Sequence, residues 1–247
     1  MIRPTFSLRT TLKNAWLTFR LHPWMLVGLA LFVIGFTGFF QQVQVVTSRT
    51  FGPGMQYLVF ALVLVAEMVL AMGLTNIGVR AVRGKTYGFR DLFRPGEMFG
   101  QYVLATLFYC IVLFVGFWLT ATVIELGAWT NLNLKILSIS FLNLVWYFIF
   151  GIQYMFYSYF LVDRKMNAFS ALRASARIVG ENRGKLMMAM LFIMTLNILG
   201  AGFFFIGLII TVPLSIITVA QIYIGLTHAH ESNEAMKRID PATVVHG

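Results

Sequence analysis

Charged residues are scarce in this chain, and their scarcity excludes an ordinary soluble fold. Only 11% of the 247 residues are charged, against about a quarter in typical soluble domains, while 59% are hydrophobic. A soluble protein of this size cannot bury so much apolar surface, and the exposed remainder would cause aggregation. The composition therefore favours a membrane protein.

Cysteine is nearly absent, and the usual catalytic signatures are missing. The single cysteine, Cys110, excludes an intramolecular disulfide and a cysteine-based metal site. The sequence contains no His-Glu-x-x-His and no Gly-x-Ser-x-Gly motif. We therefore predict that the chain is not an enzyme and has no catalytic residues, no metal site and no cofactor.

Six apolar segments are long enough to cross a bilayer. A hydrocarbon core of about 30 Å needs roughly 20 helical residues. The last uncharged stretch runs from Leu186 to Leu226, about twice the length that one span requires, and Gly200, Gly202 and Gly207 allow a turn within it. The predicted spans are residues 24–46, 55–79, 99–124, 136–162, 186–203 and 205–226.

The net charge of +10 is sorted to one side of the predicted membrane domain. Seventeen Lys and Arg residues fall in alternate segments, and only Arg49 and Lys135 fall on the other side. Because cations concentrate in cytoplasmic loops, we predict a bacterial inner-membrane protein with cytoplasmic termini, residues 1–23 and 227–247. The first apolar run is too long for a cleaved signal and predicts a retained anchor. Cations placed in blocks between apolar runs do not indicate a nucleic-acid partner.

Two basic segments have the pattern of amphipathic helices on the cytoplasmic side. In residues 167–180, Arg173 and Arg177 lie one turn apart, opposite a predicted apolar face (Phe169, Leu172, Ala176 and Val179), and Gly180 is the expected end. In residues 7–20, Arg9 and Lys13 lie opposite the apolar face Leu8, Leu12, Ala15 and Phe19. Such helices lie in the membrane interface with their cations near anionic lipid headgroups, the predicted partners.

The two basic segments align with each other at one constant offset. This offset pairs Leu12 with Leu172, Lys13 with Arg173, Phe19 with Val179 and Leu26 with Leu186, and residues 89–93 are a shorter candidate ahead of the third span. The chain is then three copies of a basic helix followed by a transmembrane hairpin. The alternative is that four matches reflect composition alone.

Glu67 is the only ionisable residue deep inside a predicted span. A charged side chain there costs about 3 kcal/mol on insertion scales, so it has either a function or a buried partner. One interpretation is a proton or cation relay in a transporter. The other is a hydrogen bond to a neighbouring helix.

The fourth predicted span carries a polar stripe. The spacing of its residues predicts one helix face, formed by Asn143, Tyr147, Gly151, Tyr154 and Ser158. The stripe can line a ligand cavity, or it can pack against a neighbouring helix, with Tyr157, Tyr159 and Phe160 as an interfacial aromatic belt.

Several segments resemble a family of poorly characterised bacterial membrane proteins. These are Ala171-Leu172-Arg173-Ala174-Ser175, Gly180-Glu181-Asn182-Arg183, Lys185-Leu186, the stretch from Gly207 through Pro213 to Tyr223, and residues 15–23. The family includes the membrane domain attached to some glycerophosphodiester phosphodiesterases. The resemblance implies a six-helix inner-membrane fold. It implies no activity, because the sequence contains no phosphodiesterase domain, and it assigns no site residues.

Two functional hypotheses follow. The first is a non-catalytic scaffold, accessory subunit or lipid-organising module that acts through anionic lipids and other membrane proteins. The second is a small transporter, or a substrate-binding subunit of one, that uses Glu67 and the polar stripe.

Overall fold

The computed structural model describes residues 7–50, 52–93, 96–125, 132–202 and 207–239, and the regular structure in these ranges is entirely helical. Six helices are long and apolar enough to span a membrane: Pro23–Thr50, Gly54–Val82, Phe99–Glu125, Leu132–Arg164, Ala168–Gly202 and Leu208–Ser232. The chain is thus an all-α, multi-pass membrane protein, and the predicted fold class is confirmed.

The helices are numbered in chain order. They are α1 Leu8–Leu21, α2 Pro23–Thr50, α3 Pro53–Val82, α4 Phe99–Glu125, α5 Leu132–Trp146, α6 Ile152–Tyr154, α7 Tyr157–Arg164, α8 Ala168–Gly202 and α9 Leu208–Ile239. A 3₁₀ turn, Phe89–Leu92, precedes α4, and a π-turn, Tyr147–Gly151, joins α5 to α6.

Two glycines allow the end of α8 and the residue before α9 to approach closely. A Cβ added to Gly200 would lie 3.1 Å from the carbonyl carbon of Gly207, so the two backbones approach too closely for larger residues. The predicted span ends at residues 203 and 205, and the predicted tail beyond residue 239, lie outside the described residues.

The chain divides into two compact units. The first contains Met1–Phe99 and Met190–Gly247, where α1, α2, α3 and α9 pack on one another. Its buried core consists of Ala15, Phe19, Leu26, Leu29, Leu70, Ile77, Leu92 and Ile217.

The 3₁₀ turn packs against α3 in this first unit. A Cβ on Gly73 would collide with the carbonyl oxygen of Leu92, so only glycine permits this approach. An ion pair of 2.8 Å joins Arg80 to Asp91, and Asp91 also accepts a hydrogen bond of 2.8 Å from the Gly88 N–H. These contacts hold the segment after α3 against that helix.

The second unit, Gly100–Ala189, contains a fourth span that is not one straight helix. The α-helical pattern is interrupted at the π-turn and again between α6 and α7. At the second interruption Phe156 has the non-helical angles φ −95° and ψ 1°. An inserted π-turn shifts the phase of the side chains that follow it.

Two segments share the same plan, a basic amphipathic helix followed by a break and a membrane span. The break after α1 is at His22 (φ −139°, ψ 58°), and the break within α8 is at Asn182 (φ −128°, ψ 20°). The offset that pairs Leu12 with Leu172 also pairs these two breaks. Buried positions recur at the same offset in the pairs Thr11 and Ala171, Ala15 and Ser175, Phe19 and Val179, Leu26 and Leu186, and Leu29 and Ala189. We call α1 the first basic helix and residues 168–181 the second basic helix.

The second basic helix differs from its prediction in two respects. It does not end at Gly180, because the backbone remains helical until Asn182. Phe169, predicted on the apolar face, is 60% exposed. Leu172 and Val179 are buried as predicted, and Ala168, Ala171, Ser175 and Ile178 are buried beside them. The small residues at positions 168, 171 and 175 allow the helix to pack closely. A prediction that considers only large apolar residues does not place them on the buried face.

Candidate functional site

Glu67 lies near the middle of α3, on the helix face that packs into the first unit. This face also carries Val63, Leu70 and Ile77, which are all buried and follow one another with Glu67 at helical spacing. Glu67 itself is half-buried. Its carboxyl group has no hydrogen bond or ion pair with any residue that the structure describes. The described residues therefore supply no polar contact that would explain this carboxyl group as a link between helices.

The residues of the predicted polar stripe make different contacts. The Asn143 Oδ1 accepts a hydrogen bond of 2.7 Å from the Thr120 hydroxyl of α4, which links two spans. Tyr147 is 53% exposed, and its ring lies beside Gly151. Tyr154 makes an edge contact with Phe108, with ring centroids 6.3 Å apart. The first interruption of the fourth span, Tyr147–Gly151, lies between Asn143 and Tyr154, and the contacts of both residues are with α4.

A cluster of hydroxyl groups that the sequence analysis did not predict lies in the second unit. The hydroxyls of Thr106 and Tyr157 are 2.8 Å apart, and the rings of Tyr102 and Tyr109 lie 5.9 and 5.7 Å from that of Tyr157. Tyr157, Tyr159 and Phe160 are all buried, so the expectation that they form an exposed interfacial belt is wrong. Aromatic residues near the end of a span suit a belt or a core equally well, and only the packing distinguishes them.

Ser175 attaches the second basic helix to the interrupted fourth span. Its hydroxyl accepts a hydrogen bond of 3.1 Å from the Phe156 N–H and donates one of 3.1 Å to the Gln153 carbonyl. Ser175 and Phe156 are both completely buried. Backbone groups released by a helix break need such partners at membrane depth. The serine therefore stabilises the break.

Further hydrogen bonds hold both ends of the second basic helix. At its start, the Ala168 N–H donates to Gln101 Oε1 at 2.9 Å, and the Ser170 N–H donates to Asn167 Oδ1 at 2.9 Å, which is a regular N-cap. Beyond its end, Arg183 donates to Gln153 Oε1 at 2.8 Å. The helix has a defined position on the second unit.

The predicted cationic residues lie on the outer sides of the two basic helices. Arg9, Lys13, Arg173 and Arg177 are all exposed. None of the four has an ion pair or hydrogen bond with the described part of the chain. The apolar sides of both helices pack into their own units, as the burial of Ala15 and Leu172 shows. The cations are thus directed away from the protein core and are available for binding.

The first basic helix also exposes large apolar residues, which the sequence analysis did not single out. They are Trp16 at 45%, Leu17 at 49%, Leu21 at 72% and, just past the break, Trp24 at 87% exposure. Helical spacing could have indicated the exposure of Trp16, Leu17 and Leu21, because these three lie off the buried face of α1, which carries Thr11, Ala15 and Phe19.

Comparison with known proteins adds no assignment. The chain matches no protein-family model, no curated protein and no solved structure. Among the residues that the structure describes, no three His, Cys, Asp or Glu side chains are grouped as metal ligands. The membrane fold and the two basic helices are the features that bear on function.

Proposed function

We propose that this protein is a non-catalytic scaffold or accessory subunit of a bacterial inner membrane, and that it acts through membrane proteins and acidic lipids at its basic side. The observation that carries the proposal is the second basic helix. Four hydrogen bonds hold it or the span beside it in place: the side chains of Gln101, Asn167 and Ser175 accept one each, and Arg183 donates one. Arg173 and Arg177 nevertheless remain exposed and without a described partner. A rigid helix that displays two cations one turn apart is suited to binding an acidic surface.

The charge distribution supports cytoplasmic termini. Seventeen cations lie in the segments that a six-span topology assigns to one side, against two on the other, and this asymmetry sets orientation in bacterial inner membranes.

The proposal includes a shared fold with the membrane domain of glycerophosphodiester phosphodiesterases, which this chain resembles. Two of the resembling residues have structural roles here: Ser175 stabilises the interrupted span, and Asn182 forms the break after the second basic helix. Residues with such roles are consistent with a shared fold and carry no implication of catalysis.

The test is co-purification of the full chain in mild detergent. Arg173→Glu with Arg177→Glu should abolish the recovery of partner membrane proteins, because two attractions become two repulsions. Arg173→Lys with Arg177→Lys is the matched control and should retain recovery. If the Glu variant recovers the same proteins as the wild type, the proposed role of this helix is wrong.

Glu67 supports a second candidate, a small transporter or a substrate-binding subunit of one. A half-buried carboxyl group in mid-span with no described partner is the arrangement expected of an ion or proton relay. Glu67→Gln removes the charge with little change of shape. Loss of transport into proteoliposomes would support this candidate, and unchanged transport in this variant would exclude a relay through Glu67.

A further inference from the structure

The exposed side of the first basic helix combines cations with tryptophan. Arg9, Lys13, Trp16 and Arg20 follow one another at spacings of four, three and four, so they form one stripe along α1. All four side chains are exposed. Leu17, Leu21 and Trp24 are also exposed, so cations and apolar groups share this side of the helix.

The repeated plan provides an internal comparison for this surface. The second basic helix has the same buried positions and ends at the equivalent break. Yet the residues equivalent to Trp16, Leu17, Arg20, Leu21 and Trp24 are Ala176, Arg177, Gly180, Glu181 and Gly184. The packing of the repeat therefore does not require large apolar residues at these positions. Those of α1 need a separate explanation.

A lipid interface supplies that explanation. Tryptophan concentrates at the boundary between headgroups and acyl chains, and amphipathic helices bind there through apolar burial combined with attraction of cations to anionic lipids. In water the same side chains would remain an exposed apolar surface.

We propose that the stripe on α1 is a docking surface for acidic phospholipids. Arg9, Lys13 and Arg20 bind headgroup phosphates, and Trp16, Leu17, Leu21 and Trp24 enter the boundary of the acyl chains. The second basic helix does not share this role. This inference rests on the proposed function and assigns the helix that binds the acidic lipids.

The test compares binding of phosphatidylglycerol and phosphatidylcholine to the full chain in mild detergent, by native mass spectrometry. The wild type should prefer phosphatidylglycerol. Replacing Arg9, Lys13 and Arg20 with Gln should reduce that preference about fivefold for each cation removed. Arg173→Gln with Arg177→Gln is the matched control on the second basic helix and should leave the preference unchanged.

Two further measurements in the same experiment distinguish the contribution of the cations from that of the apolar side chains and from simple anion binding. Trp16→Ala with Trp24→Gly introduces the residues of the second copy and should weaken binding of both lipids equally, without changing the preference. Inorganic phosphate should not displace the lipid. Displacement by inorganic phosphate would overturn the proposal in favour of a simple anion site.

The proposal would also be overturned if the variant lacking Arg9, Lys13 and Arg20 kept the wild-type preference for phosphatidylglycerol. It would likewise be overturned if the control variant on the second basic helix lost that preference to the same extent. A charge-preserving variant, Arg9→Lys with Arg20→Lys, should behave as the wild type and shows that the fold tolerates changes there. Recovery of partner proteins should not depend on the α1 variants, so failure of lipid docking is distinguishable from failure of the scaffold function.

Discussion

Replacing Ser175 with alanine tests whether the second basic helix stabilises the interruption of the fourth span. The change removes one acceptor from the Phe156 N–H and one donor from the Gln153 carbonyl. Ser175 and Phe156 are completely buried, so water does not readily replace the hydroxyl. The variant loses two hydrogen bonds, each of which contributes about 0.5–1.5 kcal/mol, so we expect a loss of about 1–3 kcal/mol in the free energy of unfolding.

The measurement is reversible unfolding in mixed detergent micelles, combined with hydrogen exchange of the Phe156 amide. Ser170→Ala is the matched control, because Ser170 is exposed on the same helix. Faster exchange at Phe156 should accompany the loss of stability in the Ser175 variant alone. The reasoning is refuted if Ser175→Ala unfolds with the same free energy as Ser170→Ala.

Three other changes test the packing. Gly116→Ala should destabilise the second unit by about 1–3 kcal/mol in detergent unfolding, because the added Cβ would collide with the Trp146 indole. Gly73→Ala should displace the 3₁₀ turn, since Leu92 presents rigid backbone to the new methyl, and limited proteolysis after α3 should become faster. Tyr87→Phe should be neutral or stabilising, because the buried Tyr87 hydroxyl has no hydrogen-bond partner among the described residues. Burial also raises the pKa of Tyr87, so the unfolded chain releases this proton at a lower pH than the folded chain. The free energy of unfolding should therefore fall as pH rises from the ordinary tyrosine pKa to the higher folded-state pKa, and Tyr87→Phe should remove this fall.

Matched glycines provide the controls. Gly100 and Gly28 have open space where a Cβ would be added, so alanine at Gly100 should not destabilise α4 and alanine at Gly28 should not affect proteolysis. Equal effects at Gly116 and Gly100, or at Gly73 and Gly28, would contradict the packing described. An unchanged alkaline unfolding midpoint in Tyr87→Phe would contradict the assignment of that titration to Tyr87.

The number of spans could be predicted because lipid thickness fixes helix length. The longest apolar run had to be divided, and the close approach of Gly200 and Gly207 shows why the division falls there. The exposure of Arg173 and Arg177 was also predictable, because a charge inside a packed unit is costly.

The irregular fourth span could not be predicted from the sequence. Helices that face lipid are apolar on all sides, so the period of apolar residues does not reveal which face packs on the protein. The burial of Tyr157 and the exposure of Phe169 depend on the π-turn, the break at Phe156 and the small residues of the second basic helix. Such features arise from tertiary packing, and no local residue pattern indicates them.

The break at Asn182 has a similar explanation. Glycine is the usual helix terminator, which favoured Gly180, yet the helix continues to Asn182. Asn182 is buried and donates a hydrogen bond of 3.4 Å to the Ile178 carbonyl. The equivalent break at His22, in contrast, is followed by Pro23, a residue common at the start of a helix.

Labelling of single cysteines on intact cells tests the membrane topology most directly. With Cys110 replaced by Ser, a cysteine at Lys135 should react with a membrane-impermeant maleimide, and a cysteine at Lys85 should react only after the cells are opened. Reaction at Lys85 in intact cells, or release of the protein from membranes by alkaline carbonate, would contradict a six-span protein with its basic side in the cytoplasm.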